Sequence, residues 1–392
     1  MLIKYINTAL GIILIQALML IVSAHAEVIE WEVSLGEYNP VITQELSDGN
    51  ILVGYNDVNK FTILGPNGSF IDDYSFSDQD DRATAFIEIP NAGVVYIATH
   101  KAFYYSEDGI CNMYVYDMAS CNLDGPYYSG HFIKDSVLID NKIILTDGGE
   151  DIYPGQHGSS LLAFDRNSYQ LTTIYDFGSE PTEIECDVAA REVYVTVPEI
   201  ATIFKFDCTS QEVEDWFLED AVAIPDVELI YGISLDNING KLYATAPEEK
   251  EIIEISTDPF HVLNVYNFER EIIDVVRAEN GESLLGICFG GYNDGENQGL
   301  IKIHLQDMST NFFPGGHKVI YMKGNEKSSV VYGVFKTSVH GDFAGLALDE
   351  LGNTYTFALG EDYRYLSISI LDEYSAFIAS GETGLVKKII LK

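Results

Sequence analysis

The stretch "YGISLDNINGKLYATAPEEKEIIEISTDPFHVLNVYNF", Tyr231 to Phe268, decides the fold. It divides into four strand-like runs, expected at Tyr231–Leu235, Lys241–Ala246, Glu251–Ser256 and Val262–Phe268. Asn-Gly, Pro-Glu-Glu-Lys and Asp-Pro fill the gaps, residues that tolerate or impose the backbone angles of a chain reversal. Connections this short join strands that run antiparallel. The stretch therefore reads as one antiparallel four-stranded unit.

The same order continues along the chain. Second strands read "NILVGY" from Asn50, "GVVYIA" from Gly93, "KIILTD" from Lys142, "EVYVTV" from Glu192 and "KLYATA" from Lys241. They go on as "SLLGICF" from Ser283, "SVVYGVF" from Ser329 and "SAFIASG" from Ser375. A third strand follows each, as in "KFTIL", "LLAFD", "IFKFD" and "VKKIIL". Several units close on an aromatic pair, "YSF" at Tyr74, "YDF" at Tyr175 and "YNF" at Tyr266, with "DWF" at Asp215 a looser version. The spacing is about 46 residues per unit, the length of a propeller blade. The last unit ends after three strands, while "EVIEWEVSL" from Glu27 is a strand without a partner. Pairing the two closes a ring and removes two raw sheet edges. The expectation is an all-β propeller over residues 27–392, with about eight four-stranded blades and the N-terminal strand closing the last. Val319 to Tyr365 is the weakest unit, and reading it as an insertion gives seven blades. A parallel β-helix and a pair of β-sandwiches are the competing architectures.

In these repeats the chain resembles secreted β-propellers of the broad YVTN, NHL and gluconolactonase-like group. The resemblance spans nearly all of residues 27–392 and rests on strand rhythm, since no WD dipeptide, kelch double glycine or tryptophan docking motif recurs. It implies that second-to-third loops and blade-to-blade crossovers share one face. It also implies a binding site where that face meets the central channel. Gluconolactonase-like members hold a divalent cation there through acidic and amide side chains from different blades, and no ligand position carries over residue by residue.

The opening "MLIKYINTALGIILIQALMLIVSAHA" places Lys4 before an apolar run and ends on Ala24-His25-Ala26, small residues where a signal peptidase reads. Residues 1–26 are expected to be a cleaved secretory signal, leaving a secreted protein, extracellular or periplasmic, with no membrane contact afterwards. The alternative is an anchor, because the run is near the lower length limit for spanning a bilayer. A net charge of −39 repels nucleic acid and anionic lipid, and argues against both as partners. It favours solubility, and makes a cation such as Ca²⁺ easy to accept.

Function is sought in the long second-to-third connections: "THKAFYYSEDGICN", "DGGEDIYPGQHGS", "GGYNDGENQG" and "TSVHGDF". All map to one face, as does the long crossover "LEDAVAIPDVEL". Unusually long loops on a rigid scaffold are where binding and catalysis concentrate. Two of these loops space carboxylates and amides with glycines, as a hard cation with six to eight oxygen ligands requires. Asp147, Glu150 and Asp151, with Asn293, Asp294, Glu296 and Asn297, are the candidate Ca²⁺ ligands. The same composition also serves ordinary solvated turns. Candidate ligand-contacting side chains are His100, Tyr153, His157, Tyr292 and His340, and His317 falls on the same face. Converging histidines bind metals or exchange protons.

No nucleophile elbow, phosphate loop, dinucleotide fingerprint or zinc spacing occurs among these residues. Cys288, on a second strand, reads as a buried small hydrophobe. Cys186 and Cys208 end strands of one unit about 9.5 Å apart, beyond disulfide reach unless the turns bend together. Cys111 and Cys121 bracket a strand, so a bridge needs a bent loop. Asn67-Gly-Ser would be a glycosylation acceptor in a eukaryotic secretory pathway. Three functions stay open: a binder of a protein, glycan or small molecule; a divalent-cation-dependent hydrolase or lyase; and a structural or surface-coat protein.

Overall fold

The computed structural model describes residues 28–392 except 37, 90–91, 102–110, 132, 149–158, 290–297, 316–317, 326–329, 337–342, 361–365, 373–374, 381–383 and 391–392. Thirty-two strands form eight four-stranded antiparallel sheets. We number these blades 1 to 8. Blade 1 runs from Pro40 to Ser75, blade 2 from Asp81 to Gly130, blade 3 from Ile133 to Asp176 and blade 4 from Ile184 to Ala223. Blade 5 runs from Ile233 to Asn267, blade 6 from Ile272 to Pro314, blade 7 from Lys318 to Gly360, and blade 8 from Leu366 to Ile390. First strands of neighbouring blades touch around a central axis at seven of the eight boundaries, including the return of blade 8 to blade 1, while blades 2 and 3 meet through their fourth strands. The result is an eight-bladed propeller. The weakest unit holds a blade with all four strands, Lys318 to Gly360, so the seven-blade reading falls, as do the β-helix and the sandwich pair.

Ring closure follows the expected route. Val28–Ser34 pairs antiparallel with Leu385–Ile390 as the outermost strand of blade 8, in register from Val28 opposite Ile390 to Ser34 opposite Leu385. The Trp31 ring lies 5.6 Å from that of Phe377 in blade 8. Its indole N–H donates to the carbonyl of Pro66 in blade 1 at 2.9 Å. A Cβ on Gly68 would come within 2.7 Å of the indole, so the glycine opens the floor on which Trp31 rests.

Burial falls from the middle of each blade outward. Second strands are nearly all buried, as in Lys142–Asp147 and Glu192–Val197. Fourth strands face solvent, as in Phe70–Ser75 and Phe217–Ala223. The hydrophobic clusters lie between blades. One joins Leu52 and Phe61 of blade 1 to Val95 and Tyr116 of blade 2, and another joins Ile144 of blade 3 to Phe206 of blade 4. The aromatic pairs act at these boundaries: Tyr74 sits 5.0 Å from Tyr116, Phe76 4.8 Å from Tyr114, and Phe177 5.0 Å from Phe204, each on the next blade. Removing apolar area from water at every boundary is what keeps the ring together.

Two boundaries of the deciding stretch differ from the sequence reading by two residues, and three strand ends, at Asp236, Thr257 and Asn267, by one. The first strand of blade 5 starts at Ile233 rather than Tyr231, because Tyr231 and Gly232 both face Thr245, a bulge seen in the paired backbone bonds. The fourth strand starts early, at Phe260, because the turn needs only two residues. The bulge recurs. Register shifts near the start of the first strand occur in blades 1, 2, 3, 6 and 7, and Thr182 with Glu183 opposes Thr196 in blade 4. An extra residue there bends the inner strand and re-aims its side chains, those of Asp135 and Glu183 toward the backbone of the next blade.

Candidate functional site

Antiparallel blades put second-to-third connections and blade crossovers at one end of the channel. Strand limits give the second-to-third connections nine residues in blade 2 (102–110), twelve in blade 3 (148–159), ten in blade 6 (289–298) and six in blade 7 (337–342). Blades 1, 4, 5 and 8 have four each. On an eight-membered ring, blades 2 and 3 stand opposite blades 6 and 7. The long connections thus form two opposed groups, with short turns over the remaining quadrants. On the other face, connections hold two to five residues, apart from the nine between Asp207 and Phe217 in blade 4.

Most candidates from the sequence fall in these long connections. Glu150, Asp151, Tyr153, His157, Tyr292, Asn293, Asp294, Glu296, Asn297, His317 and His340 lie outside the described residues. Asp147 and His100 are described. Asp147 ends a second strand with 3% exposure, and its carboxylate accepts the backbone N–H of His131 at 3.0 Å. The His131 ring is 3.8 Å away, and the carbonyl of His131 accepts from the Cys111 thiol. Asp147 thus ties the crossover from blade 2 into blade 3. His100 pairs in register with Arg82. Burial pushes its imidazole below the usual range and the Arg82 guanidinium adds to this, while Asp81 opposes them. Asp81 itself is fully buried and accepts from the Tyr114 hydroxyl at 2.7 Å and the Asn112 amide at 3.0 Å. Among the described residues no group of three His, Cys, Asp or Glu side chains is arranged to hold a metal ion.

What sequence reading missed lies on the bulges. Asp135 of blade 3, Glu183 leading into blade 4, and Asp274 of blade 6 occupy matching places on the inner strands. Each carboxylate leans across a blade boundary. Asp135 Oδ2 accepts the Ile184 N–H at 3.3 Å, and Glu183 Oε2 accepts the Ile233 N–H at 2.8 Å. The matching place in blade 5 is Gly232, where a Cβ would come within 2.5 Å of Asp274 Oδ1. Glu183 from blade 4 and Asp274 from blade 6 therefore flank the start of the inner strand of blade 5. Burial pushes the Glu183 carboxyl well above the usual range, and the negative charges of Asp274 and then Asp135 push further. Buried threonines brace this ring: Thr146 Oγ1 donates to the Thr182 carbonyl at 3.3 Å, and Thr245 Oγ1 to the Ile273 carbonyl at 3.0 Å. Bulge positions could have been found by aligning the units on "LTD", "VTV" and "YAT" and reading what precedes each first strand.

The quadrant over blades 4 and 5 is acidic and carries apolar groups. Glu199, Asp226, Glu228, Glu248 and Glu269 are exposed there, beside one exposed cation, Lys250. Ile200 and Tyr231 are each 46% exposed. Lys134 pairs with Glu180 at its edge.

Acidity on the opposite face has another origin. Asp117, Asp165 and Asp187 each use Oδ1 to accept two N–H groups of their own hairpin turn, and Asp207, Asp307 and Asp349 accept one. These are Asx turns, in which the carboxylate stands in for a backbone acceptor. The five cysteines form no disulfide. Cys111 and Cys121 sit at opposite ends of an extended strand, and burial pushes the Cys288 thiol up to about 12, as befits a small core residue. Asn67 is exposed on the turn beneath Trp31.

No family model matches the chain, and no curated protein sequence is significantly similar to it. Solved structures share its architecture. Sqt1 of Saccharomyces cerevisiae superposes with a TM-score of 0.65 at 8% identity, over 92% of this chain and 98% of that one. The computationally designed Ika8 protein gives 0.60 at 11%, over 91% and 98%. Virginiamycin B lyase of Staphylococcus aureus gives 0.49 at 11%, over 92% and 99%. At such identities the likeness establishes a β-propeller and no specific family.

Proposed function

We propose that the protein is an exported binding module that presents the long-connection face of its propeller to a ligand or partner. The observation that carries this reading is the one-sided distribution of connection length: blades 2, 3, 6 and 7 extend theirs at one end of the channel, while the other end has mostly tight turns. Lengthening a surface connection costs little, because closure entropy grows slowly with length, and it leaves the sheets beneath unchanged. Such insertions gather on one face when that face meets something. The scaffold itself does not decide between functions, since propellers host many. The bulged inner strands add a second support, because they gather Asp135, Glu183 and Asp274 toward that same end of the blades.

The test is a thermal-shift panel of glycans, peptides and small molecules on residues 27–392. It is run beside a variant whose connections 102–110 and 289–298 are cut to four residues, the length found in blades 1, 4 and 5. Ligands that raise the midpoint of the natural chain by mass action should lose that effect in the trimmed variant. Retention of every hit after trimming, with loss on altering the Asx turns of the opposite face, would overturn the reading.

A further inference from the structure

We infer that the cleft between blades 5 and 6, on the turn face opposite the long connections, is a binding site for an uncharged sugar. A cavity of about 610 Å³ lies there, between the first-to-second turns of the two blades and the third-to-fourth turn of blade 6. Small-molecule sites measure about 300–1,000 Å³. Exposed Asn239, Glu282 and Asp307 stand at its mouth, and the less exposed Lys241, His304 and Tyr243 also line it.

The repeat explains why this boundary is open. The fourth residue of the third strand is Lys205 in blade 4 and Lys302 in blade 6. Both reach across to the next blade: Lys205 Nζ donates to the Thr257 carbonyl of blade 5 at 3.1 Å, and Lys302 to the Glu350 carbonyl of blade 7. Blade 5 has Glu254 in that place, in register with Tyr243. Glu254 turns back on its own blade, pairing with Lys241 at 2.5 Å and accepting from Asn264 at 2.6 Å and Tyr266 at 2.7 Å. The bridge that fills the neighbouring boundaries is therefore not made from here to blade 6.

A buried hydroxyl points to a ligand. Tyr96 of blade 2, Tyr194 of blade 4 and Tyr243 are each the third residue of a second strand. The first two donate to the Arg166 carbonyl at 3.3 Å and to the Glu192 carboxylate at 2.5 Å. Tyr243 is 3% exposed and lines the cavity, and its hydroxyl has no such partner among the described residues. Burial pushes this hydroxyl up, and Glu254 and Asp236 push further, so it keeps its proton to donate.

The charges select the class of ligand. Lys241 is paired with Glu254, and behind the wall Arg277 Nε lies 2.9 Å from buried Asp236, so each inner cation already has its anion. Two ion pairs set donors beside acceptors without a net charge, and a sugar hydroxyl is both at once. Leu305, half-buried, offers an apolar contact to the C–H groups of a sugar ring. A lining this polar suits neither a flat aromatic nor an aliphatic ligand.

The experiment is isothermal calorimetry of the whole propeller, residues 27–392, with glucose, galactose, mannose, fucose, N-acetylglucosamine and N-acetylgalactosamine. At least one should bind with a dissociation constant on the order of 1 mM. The methyl glycoside of that sugar binds equally if the natural ligand is the end of a glycan chain, and fails to bind if it is a free sugar. Tyr243→Phe keeps the ring in the core and should weaken binding about fivefold, the loss of one hydrogen bond. Ser309→Trp places bulk at the mouth from an exposed turn and should abolish binding. Trimming 102–110 and 289–298 should leave affinity unchanged, which separates this site from the long-connection face. The inference is overturned if none of the six sugars binds, or if both single variants keep the natural affinity. Glucosamine or glucuronate binding more tightly than every neutral sugar overturns the assignment to an uncharged ligand.

Discussion

Replacing Trp31 tests how the ring is held shut. Its indole has two kinds of contact: packing against Phe377 and over Gly68, and one hydrogen bond to the Pro66 carbonyl. A fully buried tryptophan truncated to alanine costs roughly 4 kcal/mol, and Trp31 is only partly buried, so packing contributes about 2 kcal/mol. The hydrogen bond adds about 1 kcal/mol. Trp31→Ala should therefore destabilise by about 3 kcal/mol and Trp31→Phe, which keeps an aromatic ring, by about 1 kcal/mol. Urea melts followed by circular dichroism give both values, provided the slope is unchanged. Hydrogen exchange locates the effect: amides of Glu32, Val33 and Val386 should exchange faster, while those of blade 4 stay protected. A wild-type midpoint for Trp31→Ala, or an equal loss for the two substitutions, would refute this reasoning.

Glu183→Gln should raise the melting temperature at neutral pH. Because the carboxyl is pushed up in the fold, first by burial and then by Asp274 and Asp135, its favourable protonation is complete below the ordinary glutamate range near about pH 4.3 and lost as pH rises through the raised value. The gain from glutamine should thus disappear on acidification, and a gain independent of pH would contradict it. Asp165→Asn should do the reverse. Burial pushes that carboxyl up, but Lys142 and the turn N–H groups of Ser168 and Asn167 outweigh it and hold it at about 2. Its stabilising contribution is present above the ordinary aspartate range and falls away as pH drops towards that value, so the variant should melt lower at pH 7 and converge with the natural chain in strong acid. Asp147→Ala leaves the partly buried His131 N–H without this acceptor and should cost about 1 kcal/mol, equally with Ca²⁺ and with chelator. A loss confined to calcium would instead make Asp147 a cation ligand.

The strand order, the eight-fold repeat and the closing strand were legible because each is written locally. Apolar runs such as "KIILTD" and "EVYVTV" are punctuated by turn residues, and the unpaired strands at the two ends fit one vacancy. The acidity was legible only in total. Its division into turn-capping aspartates on one face and channel carboxylates on the other depends on which residue falls on a bulge. A one-residue shift of that kind is invisible in composition. Glu183 and Asp274 are 91 positions apart, and nothing in either neighbourhood announces that one meets the N–H of Ile233 and the other crowds the adjacent Gly232. His100 and Asp147 were noticed for their chemistry. Asp147 proved to be engaged in holding a crossover, because a backbone N–H entering a crowded blade boundary needs an acceptor more than the surface does.

Closing the ring between Val28–Ser34 and Leu385–Ile390 sets a timetable. A ribosome releases the closing strand before its partner, so that strand waits through the synthesis of seven other blades. During that interval blade 1 has blade 2 on one side only, and Ile51, Val53 and Tyr55, which blade 8 will cover, leave the young chain a sticky flank. A permuted chain begun at the turn between blades 4 and 5, with the old ends joined, would make both halves of blade 8 back to back. It would spend less time in need of a chaperone while reaching the same ring.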